Sequence, residues 1–266
     1  MRRLPLSKGI YLLPNLCTTG SLFFGFYSIV HAIGHDYYRA SMAIFISAIF
    51  DLLDGRIARI TRSESDFGVE YDSLVDLASF GLAPGILLYT WALKGFNRIG
   101  WLAAFLYFAC GALRLARYNV QIETVEKRRF QGLPIPLAAM AIAGLVLLCD
   151  GKYAPLDWKG PLALALPLIL APLMVSRIRY RSFKDFDPRS RNGFSLLVLA
   201  VGLIILMATN TDLVPFFVFL AYIFSGPIEE AILWWKGRDK GRSWRRKTAA
   251  KKMAVLAGGS DEKAAS

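Results

Sequence analysis

Between Asp51 and Asp76 the chain reads DLLDGRIARITRSESDFGVEYDSLVD. Asp51 and Asp54 stand three residues apart and Asp72 and Asp76 four apart, so on α-helices each pair projects from one face and can share a ligand. Two such helices side by side gather four carboxylates. Carboxylates packed that closely repel one another and are costly to hold near lipid, so the cluster draws in cations. Hard, oxygen-seeking divalent ions, Mg²⁺ or Mn²⁺, meet that need, and Asp51, Asp54, Asp72 and Asp76 are the expected ligands of two of them.

The residues between the acids indicate what the ions would serve. Gly55 follows the second acid and Gly68 lies one turn before Asp72, so both leave open backbone where a bulky ligand can approach. Ala58 keeps the same face open. Arg59, one turn from Gly55, offers a positive fork to phosphate. Carboxylates, metal ions and an arginine around an open pocket suit displacement at phosphorus, where catalysis is mostly positioning and charge neutralisation.

The elements that must position these groups are membrane helices. Apolar residues make up 55% of the 266, which is too high for a soluble domain of this length and predicts an all-α, polytopic membrane bundle. Eight stretches are long enough, or nearly so, to cross about 30 Å of hydrocarbon. They are 13–33, 38–58, 69–92, 98–118, 134–150, 160–176, 194–209 and 212–235. Positive charge marks cytoplasmic loops. With the N-terminus inside, only Arg39, Lys94, Arg98, Lys152 and Lys159 of the 32 basic residues fall in outer loops, and the other 27 lie on the inner side. Both termini and the acidic motif are therefore expected on the cytoplasmic side. The basic N-terminus leads into an apolar run without a small-residue cleavage site, so it reads as an uncleaved first span. Residues 1–235 are expected to form the membrane domain, and 236–266 a basic, disordered tail drawn to anionic headgroups.

The rest of the inventory excludes several classes. Cys17, Cys110 and Cys149 sit in apolar runs without paired spacing, which argues against a disulfide framework or zinc site. His31 and His35 fall in the first outer loop, far from the acids. The net charge of +12 is spread over inner loops rather than one domain face, so nucleic acid is not an expected partner. Five further segments stand out. Pro14, Asn15 and Thr18 occupy the start of the first span, where they supply either helix-start geometry or ligand contacts. Gly81, Pro84 and Gly85 interrupt the third span. Arg114 and Arg117 share a face at the inner end of the fourth, followed by Asn119. Gly132, Pro134 and Pro136 break the chain before the fifth, and Arg177, Arg179 and Arg181 alternate with Ile178 and Tyr180 after the sixth.

At all eight signature positions, the D-x2-D-G-x2-A-R-x8-G-x3-D-x3-D pattern resembles the motif of the CDP-alcohol phosphatidyltransferases. The PNLCT, DFGVEYDSLVDLASFGLAP, RLARYN, FQGLPIP and SRIRYRSFK segments resemble one branch of that family, the bacterial and archaeal membrane-type phosphatidylserine synthases. The resemblance runs from Leu13 to about Phe186. It implies transfer of a phosphatidyl group from CDP-diacylglycerol to L-serine, with release of CMP, by a homodimer in the cytoplasmic membrane. It further implies that Asp76, with Asp72 beside it, deprotonates the acceptor hydroxyl. Pro14, Asn15, Thr18, Gly55, Ala58, Arg59, Ser65 and Gly68 would bind CDP-diacylglycerol. The serine carboxylate needs a cation on the same side, for which Arg114, Arg117, Arg177 and Arg179 are the candidates. Tyr71, where a smaller residue is common, is expected to face away from the acids and to matter little. The same chemistry with glycerol 3-phosphate, inositol or choline is the nearest alternative. An ion or metal transporter is a more distant one, since the acids cluster at one membrane end and no inverted repeat is visible.

Overall fold

A computed structural model describes residues 12–61, 65–121, 130–150, 158–176, 178–180, 210, 213–232 and 235. Within them the chain is helical apart from one two-residue ladder and the short turns and links between elements. Helix α1 spans Leu12–Ile33, α2 Tyr37–Thr61 and α3 Asp66–Asp76. A π-helical turn at Leu77–Leu82 leads into α4, Ala83–Leu88, and a second π turn at Tyr89–Leu93 leads into a short 3₁₀ turn at Lys94–Phe96. Then follow α5, Asn97–Gln121; β1, Phe130–Gln131; α6, Ile135–Asp150; α7, Lys159–Val175; and β2, Arg179–Tyr180. The last described helix, α8, runs Val214–Ile232. The expected span at 194–209 lies outside the described residues, as does the tail.

Among the described residues, three stretches are long and apolar enough to cross a membrane, Leu13–Ile33, Asp66–Val120 and Val214–Ile232, and α6 and α7 are shorter apolar helices. The outward faces of α1 and α5 carry Phe23, Phe26, Val30, Trp101, Phe105 and Leu113, all exposed. A surface of that size and greasiness is a lipid surface rather than a solvated one. Few acids interrupt it. The protein is a helical membrane protein.

The chain divides into two units, Met1–Ile223 and Phe224–Ser266. In the first, α1 packs along α2, α2 along α6, and α5 along α7. Helix α6 is apolar on every side and accordingly sits at the centre, with Ile135, Ala138, Ile142, Leu145 and Val146 buried. Its small residues let neighbours approach: a Cβ on Gly144 would meet the Phe216 backbone at 2.9 Å. In the second unit, 224–232 are helical.

The segment before α6 does more than end a helix. Gly132 has φ +81°, a conformation that favours glycine, and a Cβ there would collide with the Met174 carbonyl. Its N–H donates to Ile178 O at 2.9 Å, and Leu133 N–H donates to Leu173 O at 3.1 Å. The same strip carries the antiparallel pairing of Phe130 with Tyr180. Thus FQGLPIP stitches the loop before α6 to the end of α7. Pro136 falls in the first turn of α6, where a missing N–H costs nothing.

Candidate active site

Three consecutive helices build the site. Helix α2 presents Asp51, Asp54, Gly55, Ala58 and Arg59, and α3 presents Gly68, Asp72 and Asp76. Helix α3 starts where it does because Ser65 caps it: the extended Ser65 accepts the Gly68 N–H on its Oγ at 3.1 Å. Helix α1 brings its first turn alongside. There Thr18 Oγ1 donates to Pro14 O at 3.1 Å and Thr19 Oγ1 donates to Asn15 O at 2.7 Å, which keeps both hydroxyls on the helix wall.

Between these helices lies a cavity of about 360 Å³. Pro14, Asn15 and Thr18 line it from α1, and Asp51, Leu52, Asp54, Gly55, Ala58 and Arg59 from α2. Ser65, Gly68, Val69 and Asp72 close the third side. All eight residues expected to bind CDP-diacylglycerol therefore face one space. A Cβ on Gly55 would meet nothing within 4 Å, whereas one on Gly68 would sit 3.1 Å from Ser65 Oγ and 3.5 Å from Asn15 Oδ1. The two glycines differ accordingly: Gly55 leaves the mouth open, and Gly68 lets α3 close on α1.

Asp51, Asp72 and Asp76 each offer a carboxylate oxygen, all within 4.8 Å of one another. That is the spacing at which one hard cation can bridge carboxylates. Asp54 lies outside this trio but lines the same cavity, 6% exposed, with a buried Oδ2 that has no partner among the described residues. Asp76, which stands behind the cavity lining, likewise has a buried and partnerless Oδ1. Buried acceptors without donors are rare and costly, so these atoms fit an oxygen-seeking ion.

The four candidate arginines separate. Arg114 is 9% exposed, its charge is felt at Asp76, and its Nε has no partner among the described residues. Arg117, one turn on, donates from Nη1 to Val175 O at 2.7 Å and so closes the carbonyl end of α7. Arg177 and the Arg179 side chain lie outside the described residues.

Two contacts were not foreseen. Ser73, next to Asp72, meets Asn119 of α5, whose Nδ2 donates to Ser73 Oγ at 3.0 Å. Tyr71 is not idle, since its hydroxyl lies 3.0 Å from Thr19 Oγ1 and its ring stacks on Phe67. The asparagine in RLARYN was the available signal for the first; nothing in the sequence marked the second.

The model of the CDP-alcohol phosphatidyltransferase family matches residues 11–176, which run from the first helix past the end of α7. The chain belongs to that family. Among the family's curated members it is similar to the CDP-diacylglycerol–serine O-phosphatidyltransferase of Helicobacter pylori strain 26695, with 43% identity over 176 residues, 66% of this chain and 74% of the relative. It is also 36% identical over 173 residues to the enzyme of that name from Bacillus subtilis, covering 65% and 91% of the two chains. The Methanocaldococcus jannaschii enzyme of the same name is 35% identical over 160 residues, covering 60% and 69%. In this CDP-alcohol phosphatidyltransferase the family match contains every residue of the cavity and the acidic trio.

Proposed function

We propose that this membrane enzyme transfers the phosphatidyl group of CDP-diacylglycerol to L-serine, giving phosphatidylserine and CMP. One observation carries the reading: the eight expected nucleotide contacts and two of the trio's acids line a single cavity. The relatives' shared name supports serine as the acceptor.

Asp51, Asp54, Asp72 and Asp76 would hold Mg²⁺ or Mn²⁺, two ions in all, with the unpartnered Asp54 and Asp76 oxygens as the groups most in need of them. Bound there, divalent ions draw charge from the pyrophosphate. Arg59 would grip a phosphate by its exposed fork at the cavity mouth, while Gly55 leaves room for the cytidine and Asn15 faces it from α1. The serine hydroxyl oxygen bonds to the phosphatidyl phosphorus, the bond to CMP breaks, and the hydroxyl proton passes to Asp76. Arg114 is our candidate for the serine carboxylate, since it is buried, its charge reaches Asp76, and its Nε has no partner among the described residues.

We further place the cavity on the cytoplasmic side of a multi-pass bundle of about eight spans in the cell membrane, following the distribution of basic residues. The functional unit is a homodimer joined through membrane helices. Purified protein in detergent, given CDP-diacylglycerol and radiolabelled serine beside glycerol 3-phosphate, inositol and choline, tests the assignment. Labelled phosphatidylserine is the expected product; efficient use of another alcohol with none of serine overturns it.

A further inference from the structure

Directly after Asp76 the helix changes its winding. Leu77–Leu82 is a π turn, although the backbone runs on without a break from α3, through Leu77 at φ −64°, to α4. Such a turn inserts about one extra residue into the helix, which re-phases the flanking faces by about 100°. The amount of winding here therefore sets how Asp72 and Asp76 point relative to Ala83, Pro84, Gly85 and Leu87, the buried residues by which α4 is anchored.

A π turn leaves backbone groups poorly matched, and within a bilayer they must be satisfied by neighbours. Two neighbours hold this one. Tyr107 of α5, fully buried, donates its hydroxyl to Phe80 O at 2.7 Å. From the other side, Ser79 Oγ donates to Ser21 O of α1 at 3.2 Å. That same carbonyl accepts Ser47 Oγ of α2 at 2.9 Å, and the Ser21 and Ser47 hydroxyls lie 2.8 Å apart. All three serines are buried. Gly25 is what admits Ser79 so closely, since a Cβ there would come within 2.8 Å of Ser79 Cα.

The registers of the three serines are related. Ser47 precedes Asp51 by four residues, Ser79 follows Asp76 by three, and Ser21 follows Thr18 by three. Ser47 and Ser21 are each about one α-helical turn from a site residue on their own helix, and Ser79 lies within the π turn that begins directly after Asp76. We propose that the π turn Leu77–Leu82, held by Tyr107 and by the Ser21–Ser47–Ser79 knot, is a positioning device that aims Asp72 and Asp76 at Asp51. Tyr107, Ser47 and Ser79 are then positioning residues for the ion-binding carboxylates. The inference rests on reading that trio as a metal centre.

The molecule supplies its own control. In the second π turn, Tyr37 of α2 donates its hydroxyl to Thr90 O at 3.0 Å, a bond of the same kind remote in sequence from the acids. A merely structural role for Tyr107 would make Tyr107→Phe and Tyr37→Phe behave alike. The test is Mn²⁺ binding to the purified full-length protein without substrate, read from the free-ion paramagnetic resonance signal, with Asp51→Asn to show that the site is the one measured. Tyr107→Phe and Ser79→Ala are expected to weaken Mn²⁺ binding at least about fivefold, and Tyr37→Phe less than about twofold. In turnover the first two lower kcat and leave the KM for serine unchanged. Ser47→Ala, which alters neither Tyr107 nor the π turn itself, carries the test should Tyr107→Phe not fold. If wild-type protein binds Mn²⁺ and these variants bind it equally well, or Tyr37→Phe weakens it as much, the positioning role is overturned and the metal centre stands. A wild-type protein that binds no Mn²⁺ overturns both.

Discussion

The hydroxyls of Thr19 and Tyr71 lie 3.0 Å apart, joining the helix that carries Asn15 to the helix that carries Asp72. Both helices line the cavity, so this bond helps fix its width. It is exposed, and a hydrogen bond of that kind is worth about 1 kcal/mol. Tyr71→Phe is accordingly expected to raise the KM for CDP-diacylglycerol by up to about fivefold while leaving that for serine unchanged. Initial rates across a range of each substrate check it, and an unaltered CDP-diacylglycerol dependence would reduce Tyr71 to a packing residue.

Transfer is expected to require a divalent cation. Exhaustive EDTA treatment should abolish activity, and Mn²⁺ or Mg²⁺ should restore it, because three carboxylates converge in the trio and Asp76 and Asp54 hold buried oxygens without donors among the described residues. Asp51→Asn and Asp72→Asn each remove one ionic ligand and should abolish transfer while detergent elution profiles stay those of the wild type. Near-normal rates in both variants would show that the trio is not a metal centre.

Arg114 and Arg117 are expected to respond differently to lysine. Arg114 carries an Nε with no partner among the described residues and a charge that reaches Asp76, so Arg114→Lys should raise the KM for serine at least about tenfold, a loss of roughly 1.4 kcal/mol, with little effect on CDP-diacylglycerol. Arg117 is occupied at Val175 O, and its replacement should cost stability, about 1 kcal/mol, without altering serine dependence. Equal serine kinetics in both variants would move the acceptor site elsewhere.

Topology can be tested in intact cells. In a background lacking Cys17, Cys110 and Cys149, Ser65→Cys should resist a membrane-impermeant thiol reagent and Asp157→Cys should react, as the skew of basic residues toward one side requires. The reverse labelling pattern would invert the molecule.

What the sequence disclosed was whatever local spacing encodes. The acids at three- and four-residue intervals became one trio and one cavity wall because helical phase carries them there, and Gly55, Ala58 and Gly68 face the same space for the same reason. Helix positions followed from apolar runs, as in α6 and α7. Pairing at a distance was hidden. Tyr71 seemed dispensable because Thr19, its partner, is 52 residues away. Arg117 looked equivalent to Arg114, since nothing local says that α7 ends beside it. The π turns left no mark either: Gly81 and Pro84 signalled an irregularity, but its winding depends on Tyr107 and Ser21, which belong to other helices. The strip through Gly132 was visible only as an interruption, and its role as a stitch to α7 emerged from the positive φ and the two backbone bonds.

Every residue lining the cavity lies between Pro14 and Asp72, whereas Arg114, Tyr107 and Asn119 arrive only with α5. A ribosome adds about 5–20 residues each second, so the acidic helices emerge seconds before the arginine and tyrosine that complete their surroundings. During that interval the acids have only the basic residues of their own segment, Arg56 and Arg59 among them, for counter-charge. The cavity wall is thus made before the helix that frames it, and the surroundings of the acids are complete only once α5 has docked.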